Sequence, residues 1–315
     1  LLSPDQKLFF AKMFLKIADF NYRAIGKDTP FNIPLHLITS THLISCIFTP
    51  FSQAKTWKTW ARKRLVNDYT SKYSVSPDGY FREGLGYQNV VHNLILKNLI
   101  FWKSSGDKVP VSLLKVSENS FEFATKILRI DSTYPLIADT GAHSSHERHI
   151  VYREMLNLAA VFFNRPDFLK AAGSPINQTP NEILHWDMGW DGIIKWLKMK
   201  KTPFLKRTQL PHDLRNSGLQ ILGKGKINNC HQGVLHYASN INHAHFDIGS
   251  IDIWGYGRPL ITDPGFSGYN IISQAVDLSD RSHNLTILSR LKPLGPRLES
   301  SEHCQTTQVI QSVDI

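Results

Sequence analysis

Cysteine is scarce in this chain. Cys46, Cys230 and Cys304 are the only three in 315 residues, far apart and without a Cys-x-x-Cys pair. That spacing argues against a cysteine zinc site and against a disulfide scaffold; the three read as buried thiols and do not settle a compartment. Long apolar runs are absent too. No stretch of about 18 apolar residues occurs, so no membrane span is expected. The first residues, LLSPDQKLFF, lack a basic n-region and an apolar h-region and are not expected to act as a signal peptide. Acidic residues are in short supply: 26 Asp and Glu face 36 Lys and Arg, a formal net charge of +10. Such a balance suits an anionic partner (nucleic acid, an acidic polysaccharide or an anionic membrane) or simply a solvated basic surface. The basic residues are dispersed, with clusters at 58–64 and 195–201, and no arginine-rich arm or RNA-binding aromatic signature occurs. Nucleic acid is therefore the weaker choice and is not expected as a partner.

What is present is ordinary globular material, 42% hydrophobic and 20% charged, enough for one large domain or two smaller ones. The first two thirds read as helices. Ser3-Pro4-Asp5-Gln6 is a capping-box start with proline at the first helical position, and Phe9, Phe10, Met13, Phe14 and Ile17 follow at helical spacing. Further helices are expected near 34–48, 54–72, 86–104, 118–130, 148–163 and 180–198, punctuated by proline and glycine. After about Pro203 the texture changes to short strand-like stretches at 219–222, 233–237, 248–254, 260–262 and 284–288, with last strands around 304–315. Helices followed by strands predict two segregated parts, a helical domain over 1–205 and an antiparallel β-sheet domain over 206–315. A β-sandwich normally needs more strands than these, so the C-terminal part is expected to be truncated.

Two stretches carry chemistry. In NHAHFDIGSIDIWGYGRPLITDPGFSGY, residues 242–269, the residues His243, His245 and Asp247 alternate with Ala244 and Phe246. On a strand they would share one face. Imidazole and carboxylate together suit Zn²⁺, and His283, in RSHN, is placed to join them. A lone histidine is more often a hydrogen-bonded structural residue; a His-x-His pair with a downstream Asp and His divides evenly between structure and chemistry. In the second stretch, PDGYFREGLGY at 77–87, Glu83 and Tyr87 lie four apart, on one face if a helix begins there. Such a tyrosine can exchange a proton, although on its own it reads as an aromatic core residue.

Taken together with RSHNLTI, these stretches resemble the heparinase II/III-like polysaccharide lyases, which include alginate lyases. The likeness spans roughly residues 30–290. It implies an α+β multidomain fold, an incomplete α/α toroid followed by an antiparallel β-sandwich, and a periplasmic or secreted location. It also implies a lyase acting on an anionic, uronic-acid-containing polysaccharide by β-elimination. Residue by residue, His245, Asp263 and His283 match zinc ligands whose ion holds the active-site loops in place. His243 matches a catalytic-centre histidine, and Tyr87 the tyrosine that serves as acid and in some members as base. Tyr269 sits where some alginate-cleaving members carry a second active-site tyrosine. Arg82 and Glu83 border the cleft. Asn32 matches an asparagine that contacts the uronate carboxylate, but many members have Asn-His there and this chain has Asn32-Ile33; His36, one turn on, is the alternative. Tyr-Pro-Leu-Ile-Ala-Asp at 134–139 is similar to a family segment near the cleft, with no role attached.

The chemistry needs these residue types. A uronan lyase removes a weakly acidic proton from C5 against the charge of the substrate carboxylate. It therefore needs a base at C5, an acid at the leaving oxygen and hydrogen bonds or cations at the carboxylate. Asp247 is expected to hold an imidazole from behind. Two other classes stay open: a glycoside hydrolase using Glu83 and Asp139 as paired acids, and a non-catalytic glycan-binding protein.

Overall fold

The computed structural model describes residues 2–25, 31–129, 133–141, 145–173, 182–201, 211–225, 231–238, 243–279 and 282–284. The helical part comprises α1 (Pro4–Ala24), α2 (Asn32–Ile47), α3 (Ala54–Arg64), which runs on into a π-helical turn at Leu65–Tyr69, α4 (Leu85–Ser104), α5 (Val111–Ile127), α6 (Ser145–Phe163), α7 (Pro166–Ala171) and α8 (Glu182–Lys200). The expected capping box opens α1: Ser3 Oγ accepts from Gln6 N and Gln6 Oε1 from Ser3 N. That satisfies two amides that the first turn leaves without partners. Successive helices pack on one another, α1 on α2, α2 on α3 and α4, α4 on α5 and α6, and α6 on α8. Helix α4 is central. Val91, Ile95, Leu96 and Leu99 are buried on it, and so are Gln88, His92 and Asn98. The helix expected over 118–130 starts earlier, at Val111, directly after Pro110, whose extended backbone (φ −60°, ψ 136°) caps it.

Among the described residues the sheet part is a five-stranded antiparallel meander in the order β1 (His212–Leu214), β2 (Leu219–Lys224), β3 (His231–His236), β4 (Ser250–Gly255) and β5 (Arg258–Ile261). A short helix, α9 (Ile271–Asp277), follows. The expected domain boundary near 205 and the expected strand around 304–315 fall outside the described residues. So does most of the stretch at 284–288; Asn284 is described, and its carbonyl accepts from Ile251 N of β4 at 3.0 Å. Strand periodicity decides which face is covered. Leu219 and Ile221 of β2 and Val234 of β3 point inward into a core shared with Tyr80, Phe121, Phe123, Leu156 and Trp196 of the helical part. Leu222, Leu235 and Ile251 lie on the other face, exposed.

The inward face also carries polar groups, and these tie the two parts together. Both carboxylate oxygens of Asp252 on β4 accept from the one Nη2 of Arg129, beyond α5, in a buried ion pair. Asp78 accepts from Asn216 Nδ2 (3.1 Å) and Ser217 Oγ (3.2 Å), while Ser76 Oγ meets Ser217 Oγ at 2.9 Å. A third junction is the loop 138–140. A Cβ on Gly86, in the first turn of α4, would sit 2.6 Å from the Asp139 carbonyl oxygen. Gly86 N donates to Thr140 Oγ1 (3.1 Å). From the other side Gly265, at φ +72°, leaves no room for a Cβ against Thr140 O, which accepts from Phe266 N at 3.1 Å. Asp263 Oδ1 accepts from Gly265 N at 2.9 Å, closing the Asp-Pro-Gly turn.

Two outcomes follow from these contacts. Asp252→Ala leaves the Arg129 guanidinium buried without its carboxylate and should cost about 3–5 kcal/mol in urea unfolding, whereas the paired Arg129→Met/Asp252→Leu change should recover most of that loss. Gly86→Ala would stabilise an unencumbered helix by about 1 kcal/mol; here the Asp139 carbonyl is in the way, so a loss of about 1–3 kcal/mol is expected. A rise in Tm for Gly86→Ala would contradict the packing of α4 on the loop 138–140.

Candidate active site

The alternating histidines do not lie on a strand. Residues 243–249 are irregular, and β4 begins only at Ser250. The cause is local. His243 has a left-handed backbone (φ +53°) and Gly249 another (φ +91°), so the simple two-residue alternation of side chains is broken. The three residues nevertheless converge on the loop 138–140, each by a different route. His243 Nδ1 meets Asp139 Oδ2 at 2.6 Å, and His245 Nε2 meets Asp139 Oδ1 at 2.8 Å. Asp247 Oδ2 accepts from Ala138 N at 3.3 Å and faces His236 Nδ1 of β3 at 3.3 Å.

Asp139 is thus the hub of the site. Its Oδ2 accepts a third bond, from Tyr269 Oη at 2.7 Å. Burial raises the cost of its charge, but the hydrogen bonds from His243, His245 and Tyr269 outweigh that and hold its carboxyl well below the usual carboxylate range. Tyr269 in turn bonds the hydroxyl of Tyr87. Since Tyr269 donates to a carboxylate, its oxygen receives the Tyr87 proton. Burial together with the contacts to Tyr87 and Asp139 pushes the Tyr269 phenol well above its ordinary range. The Tyr87 ring stacks on the His243 imidazole, with centroids 4.1 Å apart and planes 26° apart. A tyrosine in the first turn of α4 and a histidine from the sheet part therefore stand face to face, and Tyr269 beside them is 58% exposed.

Glu83 lies just ahead of α4, not on it, because the helix begins at Leu85 after Gly84, whose φ of 106° breaks the continuity. The residues Glu83 and Tyr87 therefore do not share a helical face. Glu83 is 1% exposed. Its Oε2 accepts from Asn32 N at 2.7 Å and its Oε1 lies 3.7 Å from His243 Nε2. Asn32, the first residue of α2, is buried, and Ile33 beside it is 68% exposed. Arg82 spends its guanidinium on the carbonyls of Lys72 (2.6 Å) and Asn216 (3.5 Å), linking the two parts. His36 is exposed one turn into α2, and its imidazole makes no hydrogen bond or ion pair among the described residues.

The expected metal ligands also come together. His283 Nδ1 meets Asp263 Oδ2 at 2.7 Å, and the His245 and His283 rings are 5.4 Å apart at their centroids. Burial opposes the charge on His283, but the Asp263 bond and charge raise its pKa. Buried His245 Nδ1 and His283 Nε2 have no hydrogen-bond partner. Each ring gives its other nitrogen to a carboxylate, so the two orphaned nitrogens are the ones that carry lone pairs, the arrangement a carboxylate-backed histidine uses toward a metal. That donor chemistry suits zinc. Asp263 has both oxygens occupied, by His283 and by Gly265 N. Among the described residues no group of three or more His, Cys, Asp and Glu side chains stands so that it could hold a metal ion.

The sequence offered Asp139 only as a paired acid of the hydrolase alternative, and its place at the centre of this cluster was not anticipated. Its only sequence signal was the likeness of the segment 134–139 to a stretch near a cleft.

Comparison with known proteins gives a fold. No protein-family model matches the chain, and no curated protein is similar to it in sequence. Solved structures do match. A heparan sulfate lyase, HepC from Pedobacter heparinus, superposes with a TM-score of 0.64 at 18% identity, over 89% of this chain and 40% of that one. A heparinase III structure gives 0.63 at 15% identity, over 89% and 41%. A second heparinase III, with methylated lysines, gives 0.62 at 18%, over 88% and 38%. The chain thus spans about two fifths of the length of the structures it matches. Over that part it shares their fold, a helical part followed by an antiparallel sheet, with the Tyr87–His243–Asp139 cluster at the junction of the two.

Proposed function

We propose that this site cleaves a uronic-acid-containing anionic polysaccharide by β-elimination. The observation that carries the reading is the stack of Tyr87 on His243, two proton-transfer groups brought from different parts of the fold to one partly exposed position. The net charge of +10 favours capture of a polyanion, and the fold is one found in heparan sulfate and heparinase lyases.

In this reading His243 is the base. Its Nδ1–H is held by Asp139, which leaves the Nε2 lone pair to take the C5 proton. Glu83 Oε1, 3.7 Å from that nitrogen, stabilises the imidazolium that results. The C4–O bond breaks, a C4–C5 double bond forms, and the Tyr87 hydroxyl protonates the departing oxygen. In the free protein that proton is directed at Tyr269, so on substrate binding the Tyr87 hydroxyl turns from Tyr269 to the leaving oxygen, while Tyr269, held by Asp139, keeps the Tyr87 oxygen in place. The buried Asn32 at the start of α2 is assigned to the uronate carboxylate, with His36 as the alternative. Zinc held by the bare nitrogens of His245 and His283, with Asp263 backing His283 rather than serving as a third ligand, would supply a fixed anchor for the segments that carry these residues. A secreted or periplasmic setting suits such a substrate.

The hydrolase alternative asks Asp139 or Glu83 to donate a proton. Asp139 accepts from three donors and is held as a carboxylate, the wrong state for that task.

The test is incubation with a panel of uronic-acid polysaccharides, a heparan-type chain first, while following the ultraviolet absorbance of unsaturated uronate ends. Absorbance should rise with one member of the panel. New reducing ends without absorbance would mean hydrolysis, and binding without cleavage a lectin-like role; either result defeats the proposal. On the cleaved substrate Tyr87→Phe should lose about 10²–10⁴ in activity while Tm changes little, because the hydroxyl removed is at an exposed position rather than in the core. His245→Ala should lower zinc content and Tm together; an unchanged Tm with unchanged zinc would remove His245 from the metal site.

A further inference from the structure

We infer that Asp139 is a positioning residue that holds His243 and His245 in opposite tautomers, the proton on Nδ1 of one and on Nε2 of the other. The distances give the assignment. Asp139 Oδ2 is 2.6 Å from His243 Nδ1, and Asp139 Oδ1 is 2.8 Å from His245 Nε2. An ionised carboxylate only accepts hydrogen bonds, so each of these nitrogens carries its ring's proton. The bare nitrogens are then Nε2 of His243 and Nδ1 of His245. The first stands on the Glu83 side, 3.7 Å from Oε1, and the second is buried with no partner.

Two histidines two residues apart on a regular strand would show the same edge to a common neighbour. Here the left-handed backbone at His243 (φ +53°) turns one ring relative to the other, so a single carboxylate meets opposite edges of the two. Asp139 reaches this point because its loop is wedged between Gly86 and Gly265, neither of which has space for a Cβ. One side chain therefore sets both the nitrogen available for proton transfer and the nitrogen available to a cation. A change at either histidine is felt by the other through the shared carboxylate.

The effect on catalysis rests on the lyase reading; the tautomers do not. The test uses the full chain with ¹⁵N-labelled histidine. Two-bond ¹⁵N–¹H spectra are recorded above the ordinary histidine titration range, and the two rings are assigned by His243→Gln and His245→Gln. His243 should report the Nδ1–H form and His245 the Nε2–H form. Any other pattern overturns the inference. In Asp139→Asn the amide offers one acceptor and one donor, so at least one ring must reverse its tautomer, and zinc uptake or turnover should fall about 10–100-fold. Asp139→Glu, which keeps two acceptors, should retain the wild-type tautomers. An Asp139→Asn protein whose two rings are unchanged would also overturn it. Should Asp139→Asn fail to fold, the wild-type spectrum decides alone. Correct tautomers in a protein that cleaves no uronan would leave this inference standing and defeat the lyase reading; cleavage with the wrong tautomers would do the reverse.

Discussion

The bond pair from Asp139 to His243 and His245 is the constraint on which the site depends. It joins a loop of the helical part to an irregular segment of the sheet part across a sequence separation of more than a hundred residues. Burying a carboxylate is costly unless its oxygens are filled, and here three donors fill them. That same requirement fixes the donors: His243 is held where it stacks on Tyr87, Tyr269 where it receives the Tyr87 proton, and His245 with one nitrogen turned away. A hydrophobic contact could hold the two parts together, but it could not choose which nitrogen of an imidazole is bare.

The rest of the junction follows the same logic. The inner face of the sheet is apolar on β2 but carries Gln232, His236, Ser250 and Asp252 on β3 and β4. Arg129 reaches Asp252, Asp78 reaches Asn216 and Ser217, and Ala138 N reaches Asp247. Polar contacts add modest net stability but are expensive to leave unmade, so they specify one seating of the sheet on the helices. In the lyase reading a site built from both parts needs that: a shift of about 1 Å between Tyr87 and His243 would be enough to impair proton transfer.

Much of this was legible in the sequence. The capping box at Ser3, the helices around 34–48, 54–72 and 86–104, and the change to strands after Pro203 rest on local periodicity and turn chemistry, which a single sequence displays. Tyr87, His243, His245 and Asp263 could be picked out because they sit in two dense stretches, while the roles of Tyr269 and His283 came from the family resemblance. Local pattern failed where backbone conformation or distant contacts decide. Strict alternation from His243 to Asp247 looks like a strand, and nothing in the residue types announces the left-handed turn at His243. The Glu83–Tyr87 spacing looks helical, and Gly84 ends that. Asp139 sits alone in the apolar run Leu-Ile-Ala-Asp; its importance comes from partners more than a hundred residues on. Arg82 was placed at the cleft border by the family resemblance, and no local pattern announces that its guanidinium donates to the carbonyls of Lys72 and Asn216.

The central claim is that Tyr87 and His243, delivered by separate parts of the fold, act as one proton-transfer unit. A double-mutant cycle on the cleaved uronan tests it most directly, with kcat/KM measured for Tyr87→Phe, His243→Ala and the two combined. Groups that work as a unit are not additive, so the double variant should lose far less than the product of the two single losses. Losses that multiply would show two independent residues and contradict the account.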